Sequence, residues 1–582
     1  RNKLARLGET LRDAAGAPAG IGRHAILVAA LIEAGELAQG LADALFLAAG
    51  RDACSTADAA AMALLARIAA AVRLSWDSGF AHCRPLPEAE LRACAATPLP
   101  AEISSKRAEG FALYSLYPES YLEALRTAAL DPGRPTRVVG IRSIGVPLAA
   151  VVAAGLDAAP PPLTVRPVGE LPDRELALAD DLAAELLADA GSARFAVVDE
   201  GPGLSGSSFG AVADFLEDRG GVAPERIHFF ASHVGPLGPS ARPRHRRRWD
   251  KARRYVAELS SLLHQPRRPE HRLEAWVVDL VGAPEAPLQE ICGGNWRPLR
   301  YAREEDWPAS NLYLERRKFL LRGSSGTWLL KFAGLGREGA RKLDRARTLH
   351  AAGFVPEVVG YRHGFLVERW LGEAPSLDRR LASCDRAWLV TQVGRYLGFR
   401  ARHFPAEADR GASLARLWEM ARYNSLLAFG EAMAARLDRW QPRLGRLERA
   451  MRRVEIDGRP HAWEWLLGPD GRLLKTDALD HHAAHDIVGC QDIAWDIAGA
   501  TIELGLSPPE RDRLCGIVEA EAGQPVDAAL LALLTPCYLA LQMGDRHLAT
   551  EIAAAYPAEV ARLKTSADRY ATRLREELLG GI

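Results

Sequence analysis

Two adjacent carboxylates, Asp199 and Glu200, directly follow the apolar run "FAVV" at residues 195–198. A glycine-rich turn comes next, and residues 205–208 then read Ser-Gly-Ser-Ser before a helix-like stretch that begins at about Phe209. Backbone N–H groups at a helix N-terminus, with glycine flexibility and serine hydroxyls, form a cradle for phosphate. Because carboxylates repel phosphate, the acid pair suits ribose hydroxyls, held directly or through Mg²⁺. The stretch predicts a site for a phosphorylated sugar; a tight strand-to-helix turn with a helix cap is the alternative.

The order of four apolar residues, two acids, a spacer and Ser-Gly-x-Ser resembles the phosphoribosyl pyrophosphate (PRPP) motif of the type I phosphoribosyltransferases. The spacer "GPGL" is one residue longer than is usual in that family. The resemblance implies that Asp199 and Glu200 are catalytic and bind Mg²⁺. It also implies that pyrophosphate leaves C1 of PRPP as a nucleophile attacks, with loop N–H groups and Mg²⁺ stabilising the departing charge. The residues implied in phosphate binding are Ser205, Gly206, Ser207 and Ser208.

An earlier strand–turn–helix pattern, "RVVGIRSIGVPLAAVVAAGL" at residues 137–156, resembles the pyrophosphate loop of the same family. This resemblance implies a catalytic role for Arg142 and contacts from Ser143 and Gly145 to the leaving group. Short β-rich runs alternate with helical stretches through this part of the chain, which predicts a parallel sheet. Loops gather at the carboxyl ends of such strands, so we expect the two motifs to meet there.

Two further segments have positions expected from the same resemblance. "LTVRPVGELPDREL" stands where the family has a mobile loop, and Arg166 and Arg174 are its candidates for neutralising pyrophosphate. "EGFALYSLYPESYLEAL" stands where the family has a hood over the acceptor, with Tyr114, Tyr117 and Tyr121 at helical spacing. Core packing is the favoured interpretation of these tyrosines, and stacking on a base is the alternative.

Lys331 ends a second strand-like run in "RGSSGTWLLKFAGLG", after a turn of small residues. This pattern resembles the nucleotide-covering loop and phosphate-pairing lysine of protein-kinase-like folds, especially the aminoglycoside phosphotransferases. "FVPEVVGYRHGFLVERWLGE" continues the resemblance with a hairpin and Glu368 at the connection between lobes. The resemblance implies that Lys331 and Glu368 bind a nucleotide, with ATP and Mg²⁺ as the expected ligands.

Asp477 lies in "GRLLKTDALDHHAAHDIVGCQDIAWDIAGA", which resembles the phosphotransferase segment that carries the metal-binding aspartate. The resemblance implies a catalytic and metal-binding role for Asp477, and we interpret Asp492 and Asp496 as structural caps or anchors. A different metal-ligating set is the alternative, composed of Asp480, His481, His482, His485 and Asp486.

The expected catalytic loop of that family, His-Gly-Asp with an Asn five residues beyond the Asp, is replaced by "EIDGRPHAWEWLL" at residues 455–467. Asp457 is the candidate substitute for the base, and Glu464 is the candidate metal ligand. Phosphorylation with a rearranged site and nucleotide binding without turnover both stay open.

Composition restricts the function further. The 582 residues suit two to four domains, and 74 basic residues balance 74 acidic ones. A formal net charge of zero disfavours bulk nucleic acid or an anionic membrane as the main partner, and the basic stretch "ARPRHRRRWDKARRYVAEL" is interpreted as a solvated or docking face.

The eight cysteines include no Cys-x-x-Cys pair, which is typical of reduced thiols in a cytoplasmic protein. No apolar run was expected to reach the roughly 20 residues that span a bilayer.

The sequence therefore predicts a helical region at 1–95, an α/β phosphoribosyltransferase-like domain at 100–245, a linker with a basic helix at 246–289, and a bilobal α+β kinase-like domain at 290–582. The expected function is a phosphoribosyltransferase coupled to a nucleotide-binding domain in specialised nucleotide metabolism, with a nucleobase- or nucleotide-like acceptor and a homodimeric assembly. A non-catalytic PRPP sensor with a pseudokinase-like domain is one alternative. A small-molecule kinase with a ligand-binding middle domain is the other.

Overall fold

The N-terminal region is helical, as the sequence predicts. The computed structural model describes residues 2–85, 87–156, 161–483 and 487–580. The helices of this region are α1 (Asn2–Gly16), α2 (Ile21–Ala49), α3 (Thr56–Asp77) and α4 (Glu88–Ala96). Leu31 of α2 and Leu64 of α3 are fully buried. Apolar residues on nearly every face of α2 make it a central helix with neighbours on several sides.

A five-stranded parallel sheet follows, which confirms the predicted α/β texture. Its strand order is β2-β1-β5-β6-β7. Val139 of β1 pairs with Val197 of β5, and Val198 pairs with Phe230 of β6. The strands of this region are β1 (Thr136–Ile141), β2 (Leu163–Val165), β3 (Pro167–Val168), β4 (Glu175–Leu176), β5 (Arg194–Val198), β6 (Ile227–Phe230) and β7 (Arg253–Tyr255). The strands β3 and β4 form a separate antiparallel hairpin.

Helices cover both faces of this sheet. They are α5 (Glu109–Leu113), α6 (Pro118–Ala128), α7 (Gly145–Gly155), α8 (Asp180–Leu186), α9 (Ser207–Asp218) and α10 (Pro243–Lys251). The sheet extends past residue 245, the expected end of this domain, because β7 pairs in parallel with β6. The basic stretch therefore supplies both a helix and an edge strand.

An antiparallel sheet with strand order β11-β12-β10-β9-β8 opens the third region. Its elements are α11 (Leu259–Leu263), α12 (Leu273–Val281), β8 (Gln289–Glu290), β9 (Lys318–Gly323), β10 (Gly326–Phe332), α13 (Gly336–Ala351), β11 (Val358–Arg362) and β12 (Phe365–Arg369). Helices α11 and α12 occupy the segment expected to be a linker, and both contribute buried residues to the core. That segment is therefore part of the folded structure.

The remaining chain is mainly helical, with short strands between the helices. These elements are α14 (Arg386–His403), α15 (Leu414–Phe429), α16 (Glu431–Ala434), α17 (Leu444–Ala450), β13 (Arg453–Val454), β14 (Trp465–Leu467), β15 (Leu473–Lys475), β16 (Gln491–Asp492), α18 (Ala494–Glu503), α19 (Pro508–Ala522), α20 (Ala528–Ile552) and α21 (Pro557–Gly580). The β14–β15 hairpin is antiparallel and delivers Asp477 just beyond its second strand.

One apolar core is continuous across the first three parts of the chain. It contains Leu31 of α2, Phe111 of α5, Val198 of β5 and Phe365 of β12. Buried apolar area is the main favourable contribution to docking of this kind. The helical region, the parallel sheet and the antiparallel sheet therefore pack together as one body.

Two helices are long and apolar enough to cross a bilayer by length and composition, contrary to the expectation from the sequence. They are α2 and α20. Their most apolar windows are 72% and 61% buried inside the protein. Because the core helices of a soluble protein meet the same criterion, this finding is weak evidence for a membrane span.

Candidate functional site

The acid pair lies at the carboxyl end of β5, where the sequence places it. Asp199 and Glu200 are both partly exposed, and the Asp199 Oδ1 accepts a hydrogen bond from the Glu200 N–H at 2.8 Å. Among the residues that the structure describes, neither carboxylate forms an ion pair. Burial raises the pKa of Asp199 well above its usual value, and burial with the nearby Glu109 raises the pKa of Glu200 to about 7. Both carboxyls therefore hold their protons more tightly than usual, and a bound cation would favour their ionised forms.

The Ser-Gly-Ser-Ser stretch forms the start of α9, directly after the acid pair. Gly206 has φ of 64°, a left-handed conformation that favours glycine. The Ser205 and Ser207 hydroxyls lie 2.8 Å apart, and Arg174 Nη1 donates to Ser208 Oγ at 2.7 Å. Backbone N–H groups of the first helical turn have no partner within the helix. The Ser205 and Ser207 hydroxyls are buried against each other. The Ser208 hydroxyl and the Arg174 guanidinium meet at this helix N-terminus, whose N–H groups suit an anion.

The second predicted loop lies beside the first. Its Arg142–Ser143 peptide bond is cis, and α7 begins at Gly145. A Cβ atom placed on Gly145 would lie 2.5 Å from the Val198 carbonyl oxygen and 3.4 Å from Asp199 Oδ1. The absence of a side chain thus allows the two loops to approach closely. The fold brings Gly145 together with Asp199, as expected for neighbouring strands of a parallel sheet.

Arg142 and Arg166 occupy different surroundings from those expected. The Arg142 guanidinium forms ion pairs with Asp43 and Asp52, and its side chain is only 2% exposed. Arg166 forms an ion pair with Asp43, and its backbone N–H donates to Asp52 Oδ2 at 2.8 Å. Both acids belong to the helical region, whose carboxylates the sequence motifs did not include. These ion pairs of Arg142 and Arg166 connect the helical region to the sheet. They do not support a role for Arg166 in neutralising pyrophosphate. Of the two candidate arginines, Arg174 is the one that contacts the Ser-Gly-Ser-Ser stretch.

The tyrosines of the proposed hood differ in exposure. Tyr117 and Tyr121 are each 1% exposed, and their hydroxyls donate to the carbonyl oxygens of His363 and Asp199. These two tyrosines therefore pack in the core, as the favoured interpretation of the sequence has it. Tyr114 is 47% exposed, and its pKa is raised by burial and by the nearby Glu109. It is the one hood tyrosine with a face open to solvent.

The second candidate site centres on Lys331, which is 6% exposed at the end of β10. Its ammonium forms an ion pair with Asp477 and lies 3.7 Å from Asp480 Oδ1. Burial alone opposes ionisation of Asp477, yet Lys331 and His481 hold its pKa well below the usual value. Burial raises the pKa of Glu368 to about 7, and Lys331 only partly offsets this. Strand β10, the β14–β15 hairpin and β12 thus bring the predicted residues together in one cleft.

Asp457, the candidate substitute base, is enclosed. It is 1% exposed, accepts a hydrogen bond from the Tyr396 hydroxyl, and lies 3.4 Å from Lys475 Nζ. Its backbone N–H and that of the next residue donate to the Asp496 carboxylate at 2.7 and 2.8 Å. Asp496 is therefore an anchor of this loop, as interpreted from the sequence. Among the described residues, buried contacts with Tyr396 and Lys475 hold the Asp457 carboxylate in place.

A cluster of possible metal ligands lies next to this loop. Donor atoms of Asp457, Glu464 and His481 all lie within 4.8 Å of one another. The Lys475 ammonium contacts Glu464 Oε2 at 2.7 Å and would compete with a cation. The alternative ligands His485 and Asp486 lie outside the described residues.

An ionic network that the sequence motifs do not indicate surrounds Asp480. Lys342 of α13 lies 3.2 Å from Asp480 Oδ2, and Arg316 Nε lies 3.3 Å from the same oxygen. All three residues are largely buried, with side-chain exposures of 15% or less. A lysine amid the buried face of an amphipathic helix was the only available signal, because its partners lie far away in the chain.

The two candidate sites share a wall, formed by residues 107–117. On one side, a Cβ atom on Gly110 would lie 2.7 Å from Glu200 Oε1. On the other side, Arg316 Nη1 donates to the Leu113 carbonyl oxygen at 2.6 Å, and the Leu335 N–H donates to the Phe111 carbonyl oxygen at 2.9 Å. Arg316 therefore contacts both this shared wall and Asp480 of the Lys331 cleft.

Similar solved structures include several kinases and phosphotransferases. A choline kinase from Streptococcus pneumoniae is 15% identical with a TM-score of 0.30, over 44% of this chain and 89% of that one. Spectinomycin phosphotransferase in complex with ADP and spectinomycin is 13% identical with a TM-score of 0.34, over 53% of this chain and 96% of that one. A type I macrolide 2′-phosphotransferase is 14% identical with a TM-score of 0.32, over 51% of this chain and 95% of that one. No protein-family model matches the chain, and neither does any curated protein.

Proposed function

We propose that the protein is a Mg²⁺-dependent transferase that acts on PRPP at the loop of Asp199 and Glu200. The single observation that carries this proposal is the meeting of two loops at the ends of β1 and β5. An acid pair without a paired cation lies there beside a helix N-terminus lined with serine hydroxyls. A phosphorylated ribose needs hydrogen-bond donors for its phosphate and, next to them, carboxylate acceptors for its ribose hydroxyls.

Each residue has a role in this proposal. The Asp199 and Glu200 carboxylates bind ribose hydroxyls and are the groups that would hold Mg²⁺, since carboxylate oxygens suit this ion. Bound Mg²⁺ supplies positive charge opposite the phosphate oxygens. Backbone N–H groups at the start of α9 donate hydrogen bonds to the 5′-phosphate oxygens, and Arg174, which donates to Ser208 Oγ, lies beside them. In this proposal, Ser143 and Gly145 contact the pyrophosphate that leaves C1.

Release of pyrophosphate from PRPP tests this function. The full chain is incubated with PRPP, Mg²⁺ and a panel of nucleobases and other heterocycles, and pyrophosphate is measured. We expect release with at least one acceptor and a loss of about a hundredfold or more in the double variant Asp199→Asn/Glu200→Gln. Glu225→Gln is the matched control, because Glu225 is an exposed acid of the same region that lies before β6.

Two other outcomes would separate the alternatives. Saturable PRPP binding without release of pyrophosphate for any acceptor would favour a sensor over an enzyme. Failure of both binding and release would overturn the proposal for this loop.

A second function, nucleotide binding in the Lys331 cleft, is carried by a different observation. Lys331 and Asp477 form a buried ion pair beside Glu368, in a cleft between β10 and the β14–β15 hairpin. A lysine of this kind suits nucleotide phosphates, and Asp477 suits their Mg²⁺. Because Asp457 is enclosed, we propose that the cleft binds ATP or ADP without transferring phosphate.

Calorimetric titration with ATP and Mg²⁺ tests this second function. We expect Lys331→Met to weaken binding by about tenfold or more, which is about 1.4 kcal/mol. Lys564→Met is the control, since Lys564 is exposed on α21. ATP hydrolysis that requires Lys331 and survives the double variant of the acid pair would instead favour a small-molecule kinase. Absence of nucleotide binding in the folded wild-type chain would contradict both nucleotide binding without transfer and a small-molecule kinase.

A further inference from the structure

Two histidines and a glutamate meet in the core, away from both candidate sites. His24 belongs to α2, Glu119 belongs to α6, and His363 lies in the turn between β11 and β12. The Nε2 atoms of His24 and His363 lie 2.7 and 2.9 Å from the same oxygen, Glu119 Oε1. His24 and Glu119 are 0% exposed, and His363 is 2% exposed. Three segments distant in the chain thus place three metal-ligating groups at one buried point.

The Glu119 carboxylate is incompletely satisfied in these surroundings. Its second oxygen, Oε2, is buried and has no hydrogen-bond partner among the described residues. The polar contacts of the carboxylate are to the two imidazoles. A buried carboxylate oxygen without a partner is costly unless a cation balances its charge. A cation bound at this point would therefore contact the oxygen that has no partner.

We propose that this cluster binds one divalent transition-metal ion, with Zn²⁺ as the expected metal. The donors are Nε2 of His24, Nε2 of His363 and both oxygens of Glu119, which gives four donor atoms from three residues. Imidazole with carboxylate is a usual ligand set for zinc, whereas Mg²⁺ and Ca²⁺ prefer oxygen alone. Bidentate binding by Glu119 uses the oxygen that is otherwise without a partner.

The distances suit this ion after a small adjustment. Zinc lies about 2.0–2.1 Å from its nitrogen ligands, so donors around a tetrahedral ion are roughly 3.3 Å apart. One donor atom from each of the three residues lies within 4.8 Å of the other two, and the two closest N···O pairs are at 2.7 and 2.9 Å. Separation of these pairs by about half an ångström would admit the ion, which is within the range of side-chain rotation.

The surroundings of the cluster are those of a structural site. Ser75 Oγ lies 3.0 Å from His24 Nδ1 and fixes the orientation of that ring, as partners of ligating histidines commonly do. The rings of Phe80 and Trp276 lie 4.9 and 5.1 Å from the His24 and His363 rings. These rings keep water away. A metal here would join the helical region, the parallel-sheet region and the antiparallel sheet.

Metal analysis of the full chain tests the site. The protein is purified without a metal-affinity tag or chelator and dialysed, and zinc is measured by inductively coupled plasma mass spectrometry. We expect one zinc ion per chain in the wild type and less than about a tenth of that in His363→Gln. His82→Gln is the matched control, because His82 is an exposed histidine of the helical region. It should retain the full amount.

A second measurement guards against a variant that fails to fold. Treatment of the wild type with a strong chelator should lower its Tm, and stoichiometric Zn²⁺ should restore it. Cobalt substitution should give the visible absorption of a four-coordinate ion in the wild type. Zinc retained by a folded His363→Gln variant would overturn the assignment. So would a metal-free wild type whose Tm ignores chelator and Zn²⁺, which would identify a hydrogen-bonded His–Glu–His cluster.

Discussion

Glu200 and Asp199 are adjacent carboxyl groups that form no ion pair with any other residue in the described part of the chain. Burial and Glu109 raise the pKa of Glu200 to about 7, from an ordinary value of 4.5. The folded state therefore binds a proton more tightly than the unfolded state, and ionisation of Glu200 destabilises the fold as pH rises through this interval. Such a cost is common where a binding site needs charge for its ligand.

We expect Glu200→Gln to raise the stability of the ligand-free protein at about pH 8 by about 2 kcal/mol, because the variant has no buried charge to form there. Below about pH 4, where Glu200 is protonated in both the folded and the unfolded state, the difference should disappear. Thermal unfolding over this pH range measures the effect, with Glu225→Gln as the control. A Glu200→Gln difference that is independent of pH would contradict the raised pKa.

The identity of the loop residues could be predicted from sequence because the signal is local. An apolar strand, two acids and a glycine–serine turn lie within one short stretch, and the strand order then brings Gly145 beside Asp199. The surroundings of Arg142 could not be predicted in this way. Its partners Asp43 and Asp52 lie about ninety residues earlier in the chain, in a region whose pattern indicates only helices.

At the scale of elements, the loop from β13 to β14 depends on α18 for its conformation. The Asp496 carboxylate of α18 accepts two backbone hydrogen bonds, from Asp457 at 2.7 Å and Gly458 at 2.8 Å. Hydrogen bonds to a buried charged group contribute about 1.5 to 3 kcal/mol each. This helix therefore fixes the loop that contains Asp457 and Glu464.

We expect Asp496→Ala to increase hydrogen exchange in peptides that cover residues 455–467, since both N–H groups lose their acceptor. Mass spectrometry of the exchanged protein measures this locally, without assuming that the whole chain unfolds in one step. Asp568→Ala, on the exposed side of α21, is the control and should leave these peptides unchanged. Equal protection of the loop in Asp496→Ala and wild type would show that the anchor is unimportant.

The alternation of strands and helices was enough to predict the parallel sheet, because each unit has its own apolar strand. The end of the parallel-sheet region and the extent of the expected linker were less predictable. Strand β7 is the arginine-rich Arg253–Tyr255, which has no apolar pattern and joins the sheet through its backbone pairing with β6. Helices α11 and α12 looked like part of a linker, although buried residues such as Trp276 dock them to the core.

At the scale of the whole molecule, the shared wall connects the two candidate sites. Residues 107–117 lie against Glu200 on one side, while Arg316 joins Leu113 to Asp480 on the other. A nucleotide that binds near Lys331 would change the charge around Asp480 and thereby the position of Arg316. Linkage requires that any such effect on PRPP binding be matched by an equal effect of PRPP on nucleotide binding.

We expect saturating ATP and Mg²⁺ to change the dissociation constant of PRPP by about fivefold or more, and PRPP to change that of ATP by the same factor. Arg316→Ala should reduce both factors toward unity. Arg303→Ala, an exposed arginine of the same region with exposed acidic partners, is the control. Independent binding of the two ligands in the wild type would show that the shared wall is a static structural element.

Equilibrium titration of PRPP into the full chain in the presence of Mg²⁺ shows whether the loop of Asp199 and Glu200 binds PRPP. We expect one binding site per chain, dependence on Mg²⁺, and an affinity at least tenfold lower for Asp199→Asn/Glu200→Gln than for Glu225→Gln. Absence of saturable binding in folded wild-type protein would contradict this expectation. Binding of equal strength in the acid-pair variant would contradict it as well.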